Sequence, residues 1–265
     1  MNTQLSVRYT NEALAWEYDQ RQPSPFPGEA EWYVKHAGPV RGPLLELTCG
    51  SGRLTLSLAK EGFDVDAVDS SQTMLRRLAD RLKECDTASA RRIRAFCADM
   101  LTFESDRRYS TVLVPYNSLQ VLETVARIRR LFARVPGFLT KDGRFLFVVR
   151  RIQHADYEEN ERTAVDWMDK PAIDERTGLS VASRIVSRYD QASKRIADHG
   201  FYSIKRSDGR EQNIDFITYA PVITIAEYVS MLEDSGFAAS VSGGYGDPPD
   251  DGVSKEVCFS CRWTG

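Results

Sequence analysis

Leu44-Leu45-Glu46-Leu47-Thr48-Cys49-Gly50-Ser51-Gly52-Arg53 is the stretch that decides the fold. A short apolar run enters a turn of small residues, and an amphipathic stretch, Arg53–Lys60, follows at once. That order predicts strand, turn and helix. Glycines at 50 and 52 let the backbone bend sharply and approach a ligand closely, and the start of the following helix supplies unpaired N–H groups. In an open parallel sheet such a turn lies at the carboxyl end of a strand, where these folds bind ligands.

Outward from this point the rhythm repeats. Val65–Val68, Ile93–Cys97, Thr111–Val114 and Phe145–Val149 read as strands, with helices over Ser71–Lys83 and Leu119–Ala133 between them. Met74, Leu75, Leu78 and Leu82 share one face of the first of these helices, and Gly62 stands where helices favour a left-handed cap. Alternating strand and helix implies a mainly parallel sheet covered on both faces. After Arg150 the pattern changes. Val181–Tyr189, Arg195–Ile204 and Glu211–Tyr219 read as an antiparallel meander with polar turns, one of them Asp208-Gly209. Thr224-Ile225-Ala226-Glu227 is a capping box opening a helix that ends at Gly236. Strands near Ala238–Ser242 and Glu256–Arg262 close the chain. The expected fold is α/β: a Rossmann-like, doubly wound, seven-stranded and mainly parallel sheet with a β-meander insert. The expected divisions are a helical lid over 1–38, a core over 39–150, the insert over 151–222 and a closing segment over 223–265.

Composition sets bounds on function. The 265 residues are 42% hydrophobic and 28% charged, which suits a globular chain and excludes a disordered one. Net charge is −3, without the basic excess of a nucleic-acid binder. No apolar run reaches the ~20 residues that span a bilayer, and Met1 to Tyr9 has no apolar signal core, so the expected compartment is the cytoplasm. The five cysteines are scattered. Cys258-x-x-Cys261 lacks two further ligands at zinc spacing, since the three histidines are His36, His154 and His199; a pair of thiols in a strand is the expectation, and no metal.

Two acids extend the first signal. Asp69 ends the second strand and can accept two hydrogen bonds from a ribose diol. Asp99 follows the third and can accept from an adenine amino group, with Met100 against the ring. Three sites at three successive strand ends fit one nucleoside. Capping of helices and turns is the plain alternative for both acids. A dinucleotide fingerprint fails, because Thr55 stands where G-x-G-x-x-G needs its last glycine.

The runs ELTCGSGR, AVDSS, CADM and VPYNSLQVL resemble the class I methyltransferases that use S-adenosylmethionine, in particular the branch that methylates nitrogen in small molecules and peptides. The resemblance is good over residues 40–150; Thr48 departs from it, standing where the family has glycine. It implies that Glu46 and the backbone of Thr48, Gly50 and Gly52 cradle the amino-acid end of the cofactor. It places the ribose at Asp69, adenosine beside Ser70 and Met74, and adenine at Asp99 and Met100. Pro115, Tyr116 and Asn117 then face the sulfonium and the acceptor. The N-terminal stretch is similar to the family's helical lid, which implies that Tyr9, Trp16, Tyr18 and Arg21 close over the cofactor, a sulfonium cation favouring π faces; ordinary packing of a terminal helix is the alternative.

Methyl transfer from a sulfonium needs positioning more than a nucleophile. A base serves where the acceptor must lose a proton, and Tyr116, His154 and His199 are the catalytic candidates. Tyr116 is not preceded by the Asp or Asn and two prolines of amino-methylating DNA and RNA enzymes, which argues for a small acceptor. The insert resembles those of enzymes acting on aminosugars and peptide natural products; a roof over the acceptor and a dimer interface are both open for it, as are monomer and homodimer. Glu158, Glu159, Glu161, Asp166 and Asp169 would favour a cationic amine if they line the mouth, and are otherwise a solvated face. The expected activity is methylation of an amine of a small molecule or short peptide, leaving S-adenosylhomocysteine. A hydroxyl acceptor and a non-catalytic cofactor-binding protein are the alternatives.

Overall fold

A computed structural model of the chain describes residues 3–21, 27–38, 42–151, 162–164, 170–190 and 192–265. It divides into two compact units, residues 24–152 with 223–265, and residues 1–23 with 153–222.

The larger unit is built on a seven-stranded sheet. Its parallel part comprises β1 (Leu44–Leu47), β2 (Val65–Asp69), β3 (Ile93–Cys97), β4 (Tyr109–Val114) and β5 (Leu139–Arg150). The order β3-β2-β1-β4-β5 continues into β12 (Glu256–Trp263) and β11 (Phe237–Ser242). β12 runs antiparallel to β5 and to β11. All four β1 residues are buried, as a strand covered on both faces requires. The cover includes α3 (Glu29–His36), α4 (Arg53–Lys60), α5 (Gln72–Glu84), the short α6 (Thr87–Ala90), α7 (Val125–Arg134) and α8 (Ile225–Glu233). An aromatic layer of Phe132, Phe145, Phe147 and Phe259 fills the core, with Phe147 stacked on Phe259 at 4.5 Å. Cys258 and Cys261 are both buried in β12.

One expectation needs correction. The helix expected over Leu119–Ala133 is broken: a 3-10 turn covers Ser118–Leu122, Glu123 turns left-handed at φ 61°, and α7 starts afresh. Thr124 caps α7 by accepting from the Arg127 N–H at 3.3 Å. The apolar spacing runs straight across the break, which hid it. The capping box at Thr224 and Glu227 forms as expected, with both hydrogen bonds present.

The smaller unit packs α1 (Thr3–Thr10) and α2 (Glu12–Arg21) on an antiparallel sheet. Beyond the three expected strands, β8 (Leu179–Asp190), β9 (Arg195–Lys205) and β10 (Glu211–Pro221), it has the short β6 (Arg162–Ala164) and β7 (Ala172–Asp174), both paired with β8. Ala13 and Leu14 are buried against Val181, Tyr202, Ile204 and Phe216. Asn11 starts α2, its Oδ1 accepting from the Ala13 N–H at 3.0 Å. No helix among the described residues is long and apolar enough to cross a membrane.

Candidate active site

The carboxyl ends of β1, β2, β3 and β4 lie on one edge of the sheet, because these strands pair in parallel. Between β1 and α4 the chain turns tightly. The N–H groups of Thr48 and Cys49 both donate to the Val68 carbonyl, at 2.7 and 2.9 Å, and the Gly52 N–H donates to the Cys49 carbonyl at 3.0 Å. This curl leaves Thr48 left-handed at φ 73°, a region costly for a β-branched residue. It is where the resemblance expects glycine, so the departure is accommodated as local strain.

The two glycines of the turn have different reasons. Both have positive φ. A Cβ on Gly52 would come within 2.3 Å of Leu78, so this glycine lets α5 pack against the turn; a Cβ on Gly50 would meet nothing within 4 Å. The backbone at Gly50 therefore borders open space, at the place where a ligand would approach.

Asp69 ties the turn to β2. One carboxylate oxygen accepts from the Gly50 N–H and the other from the Ser71 N–H, both at 2.8 Å. Burial pushes this carboxyl above its ordinary value, and the N–H groups of Ser71, Gly50 and Ser70 hold it back. A carboxylate offers about four lone-pair sites, so acceptor capacity remains for a further donor. Asp99 makes a comparable local bond, its Oδ1 accepting from the Leu101 N–H at 2.7 Å. Both acids thus do turn work in the folded chain. Ser70 is exposed, while Met74 and Met100 are buried.

Glu46 is 1% exposed on β1 and accepts from the Thr55 hydroxyl at 2.7 Å. Burial is the main cause that raises its pKa to about 8; Thr55 and Arg53 oppose the rise, and Glu29 and Asp69 add to it. At neutral pH the side chain is largely a neutral acid. Nearby, Arg53 pairs with the fully buried Glu29, its Nη2 donating to Oε1 at 3.1 Å and its Nη1 to Oε2. The Tyr245 hydroxyl donates to Glu29 at 3.3 Å, and the Arg53 guanidinium lies 4.8 Å from the Tyr116 ring centre.

Pro115 is buried, and Tyr116 and Asn117 are both left-handed, at φ 56° and 59°. Asn117 locks the turn after β4 onto β5: its Oδ1 accepts from the Arg150 N–H at 2.8 Å and its own N–H donates to the Val148 carbonyl at 3.1 Å. Sequence reasoning missed Glu29, Arg53 and Tyr245. Arg53 adjoins the glycine turn, but nothing local couples it to residues so distant in the chain.

The remaining expected residues fall in the smaller unit. Tyr9 and Tyr18 are half-buried and meet edge to face at 5.6 Å, with the Arg8 guanidinium 5.8 and 5.5 Å from their rings. His199 on β9 lies 3.2 Å from Asp215 on β10, Nε2 to Oδ2. The side chain of Arg21, and His154, Glu158, Glu159, Glu161, Asp166 and Asp169, lie outside the described residues.

Residues 44–143 match the profile of a family described as a methyltransferase domain. Over those residues the chain carries a methyltransferase domain. The chain resembles a Geobacillus sp. (strain WCH70) protein whose name assigns it provisionally to the methyltransferases, 27% identical over 221 residues that cover 83% of each chain. Among solved structures, the CcbJ methyltransferase from Streptomyces caelestis is 18% identical, with a TM-score of 0.76 over 98% of this chain and 99% of its own. The glycopeptide N-methyltransferase MtfA is 23% identical, with a TM-score of 0.59 over 91% of both chains. At these identities the structural likeness shows the fold, and it extends over almost the whole chain, insert included.

Proposed function

We propose that this methyltransferase transfers a methyl group to an amine of a small molecule or short peptide, in the making of a natural product. The cofactor crevice of this reading is the turn between β1 and α4. The observation that carries it is the open space at Gly50, beside a carboxylate that holds the turn and keeps acceptor capacity for a further donor. A nucleoside fits this set: bare backbone at Gly50 admits the amino-acid end, Asp69 accepts from ribose hydroxyls, and the Asp99 turn borders the base.

When bound, S-adenosylmethionine supplies an electrophilic methyl on a sulfonium, displaced in line by the acceptor. The residues of this chain bind and orient. Glu46 lies beneath the amino-acid end and answers a cationic group by losing its proton. Tyr116 borders the acceptor side, on a turn that Asn117 holds rigid. The nitrogen reading is supported by the name of the MtfA enzyme, a glycopeptide N-methyltransferase. The absence of an acid-or-amide and double-proline motif before Tyr116 favours a small acceptor over a nucleic acid.

A hydroxyl acceptor is the second reading, favoured by the His199–Asp215 pair. A carboxylate beside an imidazole supports a base, and an alcohol must lose its proton during transfer. Replacing His199 by Gln separates the two: a hydroxyl acceptor predicts loss of turnover with a shifted pH profile, an amine a small change.

The test of the crevice is calorimetry with S-adenosylhomocysteine. Asp69→Ala should weaken binding by about 1–3 kcal/mol through lost charge-assisted hydrogen bonds. Unchanged affinity would remove the assignment.

A further inference from the structure

The ion pair of Arg53 with Glu29 has no place in cofactor binding as described above, yet it sits at the rim of the same turn. Glu29 is the first residue of α3, Arg53 the first of α4, Tyr116 follows β4, and Tyr245 belongs to the connection between β11 and β12. That connection reaches the ligand edge of the sheet because Ser242 pairs with Cys258, and Glu256 with Arg150 at the end of β5. Four segments distant in sequence thus meet around one ion pair, Tyr245 through Glu29 and Tyr116 through Arg53.

We propose that Arg53 is a positioning residue for methyl transfer: held by Glu29, it sets the Tyr116 ring on the acceptor side of the crevice. The inference rests on the reading of that crevice given above.

Three observations carry it. First, the pair is electrically closed. Both Glu29 oxygens receive guanidinium N–H groups, and the carboxylate is fully buried. Arg53 is therefore a poor receptor for a ligand carboxylate and a good fixed platform. Second, the labour at the turn is divided. Asn117 holds the backbone of the left-handed pair through β5, but those bonds leave the Tyr116 side chain to be placed by what it meets, and the Arg53 guanidinium lies 4.8 Å from its ring centre. Third, the geometry needs arginine. A planar fork can grip a carboxylate with two N–H groups and present its face to a ring at once, whereas lysine offers a point charge without a face.

The experiment labels the protein with 3-fluorotyrosine and follows the 19F resonance of Tyr116, assigned among the 11 tyrosines by its loss in Tyr116→Phe. In the parent protein, addition of S-adenosylhomocysteine should shift this resonance. In Arg53→Lys the resonance should move before any ligand is added, and its response to ligand should shrink. Affinity measured by calorimetry should meanwhile stay within about threefold of the parent. A merely structural role predicts a lowered melting temperature with the Tyr116 resonance unmoved, and that result overturns the proposal. If Arg53→Lys does not fold, the parent protein still decides: a nuclear Overhauser contact between Arg53 guanidinium protons and the Tyr116 ring must persist with ligand bound, and its absence overturns the proposal. Failure of the parent to bind S-adenosylhomocysteine is a separate outcome, which removes the crevice reading beneath it.

Discussion

Replacing Glu46 by Gln tests the electrostatics of the site without disturbing its shape. The acid is 1% exposed, and its hydrogen bond from Thr55 can be kept by the amide oxygen. Burial raises its pKa from 4.5 to about 8. The folded chain therefore binds this proton more tightly than the unfolded chain does. Between these two values the native state holds more protons, so the free energy of unfolding falls as pH rises, and the full benefit of the neutral acid is present only below the unfolded value. Each tenfold change in an acid's dissociation constant is worth about 1.4 kcal/mol. Between about pH 5.5 and about pH 8.5, Glu46 should cost the folded state on the order of 3 kcal/mol. The assay is urea unfolding of parent and Glu46→Gln in matched buffers across that window. Other groups titrate in both proteins, so the difference between the two curves isolates this one. The variant should gain steadily on the parent as pH rises. Parallel curves would refute the claim that a buried, neutral carboxyl underlies the turn.

Further expectations concern the turn itself. Gly50→Ala should cost only about 1–2 kcal/mol of stability, the price of a left-handed alanine, but should abolish measurable binding of S-adenosylhomocysteine in calorimetry. Gly52→Ala adds a collision with Leu78 to the same strain, so urea unfolding should show a loss about 1–3 kcal/mol larger. Thr48→Gly should raise stability by about 1 kcal/mol, net of the flexibility it adds to the unfolded chain; a loss would show that φ 73° is not strained here. If Glu46 lies under a cationic amino group, binding of S-adenosylhomocysteine near neutral pH should release protons, visible as a binding heat that varies with the ionisation heat of the buffer.

Local signals were legible in the sequence and long-range ones were not. Residues 44–53 announce their strand, turn and helix because glycine spacing and apolar runs act over a few residues. Thr224 and Glu227 announce a helix start for the same reason. The break at Glu123 stayed hidden because Val121, Val125, Ile128 and Phe132 keep a helical spacing across it, although Thr124 is a cap residue in plain view. Asp69 and Asp99 were found by their place after strands, but their bonds to Gly50 and Leu101 N–H groups depend on turn geometry. Glu29 and Tyr245 could not be tied to Arg53 at all: nothing in a linear pattern says that α3 and the β11–β12 connection converge on the start of α4.

The smaller unit takes its residues from both sides of the parallel core, 1–23 and 153–222. A growing chain must therefore carry its first helices, with Ala13 and Leu14 still exposed, until the strands that bury them have been made. Contacts between stretches so far apart form slowly. Removing the first 21 residues would strip an inner layer from that antiparallel sheet, leaving Val181, Tyr202 and Phe216 bare, and the shortened protein should clump where the whole one stays dispersed.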